Sequence, residues 1–103
     1  MSDLWYTLVN SMHSAKVDDS QPTIVEALRR IGIWVLPLHR VGQGCPDLLW
    51  FHRGKYGLIE IKEHGKTLNG EQRDFHAKCP GPIAVVIGVD QAIEAVLGKE
   101  ILT

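Results

Sequence analysis

Asp47, Glu60 and Lys62 are charged residues in stretches that otherwise read as buried strand. Leu48-Leu49-Trp50 follows the aspartate, and Leu58-Ile59-Glu60-Ile61-Lys62 carries the other two. Unpaired charge at buried positions is costly, so these side chains need partners. Alternation along a strand puts Glu60 and Lys62 on one face, about 6.8 Å apart, with Ile59 and Ile61 on the other. A hairpin turning at Gly54-Lys55 sets Asp47 opposite Lys62 and diagonal to Glu60, so all three side chains converge. Two carboxylates beside an ammonium suit a hard, oxygen-seeking cation such as Mg²⁺, which binds one or two carboxylates plus water and phosphate oxygens. The Ile61 carbonyl between the pair is available as a further ligand. Lys62 can then orient or help deprotonate an attacking water, or stabilise charge developing on a phosphoryl group. No Ser, Cys or His nucleophile is needed. The competing reading, a cross-strand ion pair on a solvated face, is disfavoured by the apolar neighbours Leu48, Leu49, Leu58, Ile59 and Ile61.

The elements that must position these residues can be followed along the chain. Residues 1–15 place Leu4, Trp5, Leu8, Val9 and Met12 at helical spacing, an amphipathic helix that either lids the core or packs on a second subunit. Residues 16–103 form the main domain. Lys16 to Ser20 is a connector in which Asp19 or Ser20 caps a helix carrying Pro22 in its first turn, Ile24, Val25, Leu28 and Ile31 on its apolar stripe, and Gly32 as its stop. Ile33 to His39 is β-rich, with Pro37 marking an edge or a bulge. Val41 to Pro46 holds two glycines and a proline, an irregular turn whose backbone comes close to something. Asp47–Arg53 and Tyr56–Glu63 are two strands that look buried on both faces. Asn69, with Gln72 three residues on, resembles a capping box opening a helix through about Lys78. Ile83 to Gly88 has the uninterrupted apolar character of a central strand, and Asp90 caps a final helix ending at Gly98. The order is helix, three strands, helix, strand, helix: an α/β fold around a mixed four-stranded sheet.

Composition narrows the function classes. The 103 residues are 45% hydrophobic with a net charge of −1, enough for one core but without the basic excess that would coat nucleic acid or an anionic membrane generally. Any nucleic-acid site must be local. Apolar runs are too short to span a bilayer, no secretory leader is evident, and two cysteines are too few for a disulfide framework, so a cytoplasmic setting is expected. His39, His52, His64, His76, Cys45 and Cys79 lack paired zinc-ligand spacing. Trp5, Trp34 and Trp50 suit a core or an interface better than base stacking.

In this order and on these elements, the motifs resemble the PD-(D/E)XK nuclease superfamily, with Pro46-Asp47 and Glu60-Ile61-Lys62 as its two half-motifs. More narrowly, they resemble the stand-alone phage-type VRR-NUC (virus-type replication-repair nuclease) domains. Asp18 and Gln21, the run Gly44-Cys45-Pro46-Asp47-Leu48-Leu49, and Leu68-Asn69-Gly70-Glu71-Gln72 with Phe75 carry the narrower match, over about residues 16 to 98. The resemblance implies a restriction-endonuclease-like αβββαβ core with a central mixed four-stranded sheet flanked by helices. It also implies Mg²⁺- or Mn²⁺-dependent cleavage of DNA phosphodiesters, with Asp47 and Glu60 as metal ligands, Lys62 at the water, and Gln72 at the mouth of the site. A phage-borne protein would work in the bacterial host cytoplasm. Many relatives carry a metal-facing glutamate in the first helix. Here that position falls on Thr23, and Glu26 one turn later is either its substitute or ordinary surface.

Seven of the 11 Lys and Arg residues lie between His39 and Lys78, so phosphate contacts are expected from Arg40, Arg53, Lys55, Lys66 and Arg73, with Gln43 beside them. A domain of this size has no room for a separate target-reading module, which favours DNA shape, such as branches and junctions, over base sequence. Acting on two strands asks for a homodimer, in which residues 1–15 are a candidate contact. The alternative function is a non-catalytic nucleic-acid-binding or assembly module with the same fold.

Overall fold

A computed structural model describes residues 18–98; the helix expected over residues 1–15, with its lid or dimer role, lies outside that range. The described chain forms α1 (Gln21–Arg30), β1 (Trp34–Pro37), β2 (Leu48–His52), β3 (Lys55–Ile61), α2 (Gly70–Lys78), β4 (Ile83–Val86) and α3 (Val89–Leu97). The sheet order is β1-β2-β3-β4, antiparallel through the first three strands and parallel between β3 and β4, with α2 as the crossover. No described helix is long and apolar enough to cross a membrane.

Local chemistry sets the boundaries. Ser20 caps α1 and Pro22 sits in its first turn, where a missing N–H costs nothing. Ile31 closes the helix and Gly32, at φ +90°, turns the chain into β1. α1 and α3 pack together on one face of the sheet, where Ile24, Leu28, Leu48, Ile59, Val86 and Ile93 are buried. Gly57 lies beneath the Trp50 indole, where a Cβ would stand 2.8 Å from Nε1, so this rung of β3 can carry no side chain.

Four expectations are corrected. The hairpin turns at Arg53-Gly54, both at positive φ (50° and 79°) as a two-residue turn of I′ character demands, rather than at Gly54-Lys55. His52 therefore pairs with Lys55 and Leu48 with Ile59, and the next rung sets Asp47 opposite Glu60, with Lys62 on the diagonal. β4 ends at Val86 and is an edge strand of the sheet, not a central one. Gly88 takes the cap position of α3, so Asp90 falls inside the first turn; the Asp19 carboxylate accepts the Val89 N–H at 2.9 Å and supplies the oxygen that glycine lacks. Finally, β2 and β3 are buried along their length only on the face that α1 and α3 share; on the other face Glu60 is covered but Phe51 and Tyr56 are exposed.

Candidate active site

The loop between β1 and β2 brings Asp47 to the sheet. Gly42, Gln43 and Gly44 occupy consecutive left-handed conformations, and the Cys45 N–H donates to the Gly42 carbonyl at 3.0 Å. A Cβ on Gly44 would collide with the Glu71 carbonyl and lie 2.9 Å from the Gln72 nitrogen. This is the close backbone approach the two glycines predict: the loop is seated on the first turn of α2. Pro46 has no N–H to extend the ladder. The Ile61 carbonyl therefore gains no donor from Pro46, while the Ile61 N–H donates to Asp47 Oδ2 at 2.7 Å. The N–H and C=O of one strand residue point the same way, so the Ile61 carbonyl faces this edge too. On the other side of β3, the Lys62 N–H donates to the Val86 carbonyl at 2.8 Å and fixes the end of the strand.

Glu60 is 2% exposed and is the buried charged residue of the described chain. Its side chain lies on the sheet face away from α1 and α3, beneath α2. The capping box of α2 is present as the sequence predicts: Asn69 Oδ1 accepts the Gln72 N–H and Gln72 Oε1 accepts the Asn69 N–H, both at 2.9 Å. That reciprocal cap also aims the Gln72 amide, whose Nε2 stands 3.5 Å from Glu60 Oε2, a long contact. One turn later, His76 Nε2 lies 3.6 Å from Glu60 Oε1, and neither of these two buried atoms has a hydrogen-bond partner among the described residues. His76 is the site residue that sequence reasoning missed. Its signal was its spacing, four residues after Gln72 on the same helical face.

The carboxyl of Glu60 is pushed up to about 8, first by burial, then by a hydrogen bond to Asp47 and by its charge, with Lys62 opposing. Asp47 and Glu60 stand opposite each other one rung beyond Leu48–Ile59, the arrangement in which two carboxylates can share a cation. An orphaned oxygen on a carboxylate this buried is the arrangement that a bound cation completes. Among the described residues no group of three or more His, Cys, Asp or Glu is placed to hold a metal. The donor set, two carboxylates and the Ile61 carbonyl, is all oxygen, which suits Mg²⁺ or Mn²⁺ keeping several waters better than zinc. Beside it lies a cleft of about 260 Å³ lined by Asp18, Gln21, Asp47, Ile61, Lys62 and Glu63. Asp18 is committed there to the His64 N–H, at 2.7 Å. Burial, then the charges of Glu60 and Asp47, raise the Cys45 thiol, so it stays protonated and offers no nucleophile.

Other predicted residues are dispersed. Glu26 pairs with Arg30 at 2.6 Å on the exposed face of α1, and Thr23 bonds the capping Ser20, so the structure brings neither to the carboxylates. Arg40 and Gln43 lie in the loop leading to Asp47. Lys66 follows β3, and Arg73 on α2 donates to the Leu68 carbonyl at 2.7 Å. Arg53 and Lys55 sit at the hairpin tip, about 20 Å along β3 from the carboxylates.

No protein-family model matches the chain, and no curated protein is similar to it at a significant level. Among solved structures, a protein described as "VRR_NUC domain" superposes with a TM-score of 0.58 at 24% identity, covering 76% of this chain and 90% of the other. The described residues, three helices about a mixed four-stranded sheet, have the fold of a VRR-NUC domain.

Proposed function

We propose that this protein is a metal-dependent DNA endonuclease that hydrolyses phosphodiester bonds. One observation carries the reading: Asp47 and Glu60 face each other from neighbouring strands at one end of the sheet, one rung beyond Leu48–Ile59, with Lys62 on the diagonal. Asp47, Glu60 and the Ile61 carbonyl would hold the metal. Mg²⁺ or Mn²⁺ bound there supplies Lewis acidity toward a phosphoryl oxygen and makes a bound water a better nucleophile. Lys62 orients that water and balances charge building on the phosphoryl group. Gln72 positions Glu60, and His76 walls the far side of its carboxylate. Arg40, Gln43, Lys66 and Arg73 stand at the same end of the sheet to engage the DNA backbone, while Arg53 and Lys55 would touch it farther out.

Selection by DNA shape rather than base sequence follows from how the helices are used. Base-edge readout needs an element free to enter the major groove. Here α1 and α3 pack the core and α2 walls the site. Cutting both strands of a branch asks for two copies of the site, in a homodimer.

The test is cleavage of linear duplex, single-stranded and four-way-junction DNA with Mg²⁺, Mn²⁺ or EDTA. Cutting is expected with metal only, best on the junction, and lowered about a hundred-fold or more in both Asp47→Ala and Lys62→Ala. Binding without cutting on every substrate would establish a non-catalytic module instead. Cutting that survives both substitutions would place the site elsewhere.

A further inference from the structure

α2 crosses from β3 to β4 without a single buried residue, so it lacks the apolar stripe that anchors α1 and α3. Its inward face is the half-buried set Gln72, Phe75 and His76, followed by the capping Cys79, and the rest of the helix is exposed. Two of these inward residues are polar, and both meet the same side chain. Gln72 Nε2 stands 3.5 Å from Glu60 Oε2 and His76 Nε2 stands 3.6 Å from Glu60 Oε1, so successive turns present one nitrogen to each oxygen of the carboxylate. The capping box fixes Gln72 and with it the phase of the helix, which lays His76, four residues on, over the same group. Glu60 Oε1 and His76 Nε2 are buried, and neither has a partner among the described residues. The pair is too far apart for a finished hydrogen bond, yet a movement of less than about 1 Å would complete it.

We propose that His76 is a positioning residue for the metal: its Nε2–H donates to Glu60 Oε1 and, with Gln72, holds the carboxylate in the orientation that offers a lone pair to the cation shared with Asp47. The proposal rests on the metal-dependent nuclease reading and gives a donor's role to a side chain that otherwise only walls the site. Of the two neutral imidazole tautomers, the one protonated on Nε2 places a donor on the carboxylate, whereas the other sets lone pair against lone pair. Carboxylates that ligate a metal are themselves hydrogen-bonded, which fixes their orientation. Asp47 already has such a hold, because its Oδ2 accepts the Ile61 N–H at 2.7 Å. The longer Glu60 side chain has one more torsion to fix, and its side-chain donors among the described residues are the two α2 nitrogens. His76 acts through Glu60 rather than on the cation, since among the described residues no group of three or more His, Cys, Asp or Glu is placed to hold one. Its Nε2 is also shielded from solvent, so that nitrogen has no path to a scissile phosphate.

The test reads binding of the metal alone. Mn²⁺ is titrated into the full chain at one fixed pH, and the free ion is measured by electron paramagnetic resonance. His76→Ala should weaken Mn²⁺ binding about ten- to a hundred-fold. His76→Gln, whose amide keeps a nitrogen donor on a side chain of similar reach, should recover most of that loss, and His76→Leu, which restores bulk without a donor, should not. No residue of α2 belongs to the core, so all three variants should fold, as circular dichroism and urea unfolding in EDTA would check. A role in packing alone predicts the opposite order, and leucine binding Mn²⁺ as well as glutamine would overturn the proposal. So would His76→Ala binding Mn²⁺ as the wild type does while Asp47→Ala loses it, a result that leaves the nuclease reading standing. An Asp47→Ala variant that binds like the wild type, or a wild type that binds no Mn²⁺, would sink the metal site and this proposal with it.

Discussion

Replacing Glu60 by glutamine should stabilise the metal-free protein at neutral and alkaline pH. In the unfolded chain this carboxyl ionises near its ordinary value of 4.5; in the folded chain burial and Asp47 hold it to about 8. The folded state therefore binds the extra proton across that interval. The stabilising effect of the protonated side chain is complete below pH 4.5 and is lost as pH rises through 8. At about 1.36 kcal/mol per pH unit, a shift of this size is worth several kcal/mol in full, most of it lost by the time pH reaches 8. A domain of this size has about 5–15 kcal/mol in all, so the effect is large. The amide introduced by Glu60→Gln keeps a donor for Asp47 and has no charge to bury, so the variant resembles the protonated wild type at every pH. Urea unfolding in EDTA between pH 5 and 9 should show wild-type stability falling steeply while Glu60→Gln stays nearly flat, the curves meeting on the acid side. Added Mg²⁺ should restore the wild type at pH 8 and leave the variant unchanged. Parallel curves, or a variant weaker than wild type at pH 8 without metal, would refute the claim that this carboxylate is held against its solvation.

Two further substitutions probe the seat of α2. Gly44→Ala combines a left-handed backbone with a Cβ driven onto the Glu71 carbonyl, and should cost about 2–4 kcal/mol and displace Gln72 from Glu60; unchanged thermal unfolding would show that the loop does not rest on the helix. Asn69→Ala removes one half of the capping box and should cost about 1 kcal/mol, with cleavage falling more than stability because Gln72 loses its aim. Equal losses in cleavage and stability would reduce Gln72 to a helix cap.

The elements were legible because each is announced by local chemistry. Ser20 and Pro22, the Asn69–Gln72 pair, and the glycines at 32, 42 and 44 act within a few residues of themselves, and all appear where the sequence places them. Asp47 and Glu60 were legible for a different reason, as charges in apolar runs. What failed depended on partners far along the chain. The register slipped by one residue on each strand because Arg53, an ordinary surface residue, accepts positive φ to complete the turn. An apolar run such as Ile83–Gly88 looks the same at an edge as at the centre, since only the strand order tells them apart. His76 hid among five histidines until α2 was laid over Glu60.

The two-residue turn at Arg53-Gly54 has a consequence in parity. Side chains change faces at every step along a strand, so the turn fixes by odd and even count alone that Asp47 and Glu60 meet on the side under α2. One residue added to β3 between turn and glutamate would deliver that carboxylate into the oily layer between sheet and paired helices, whereas two would only move it a rung. Engineered insertions inside this hairpin should therefore be tolerated in twos and not in ones.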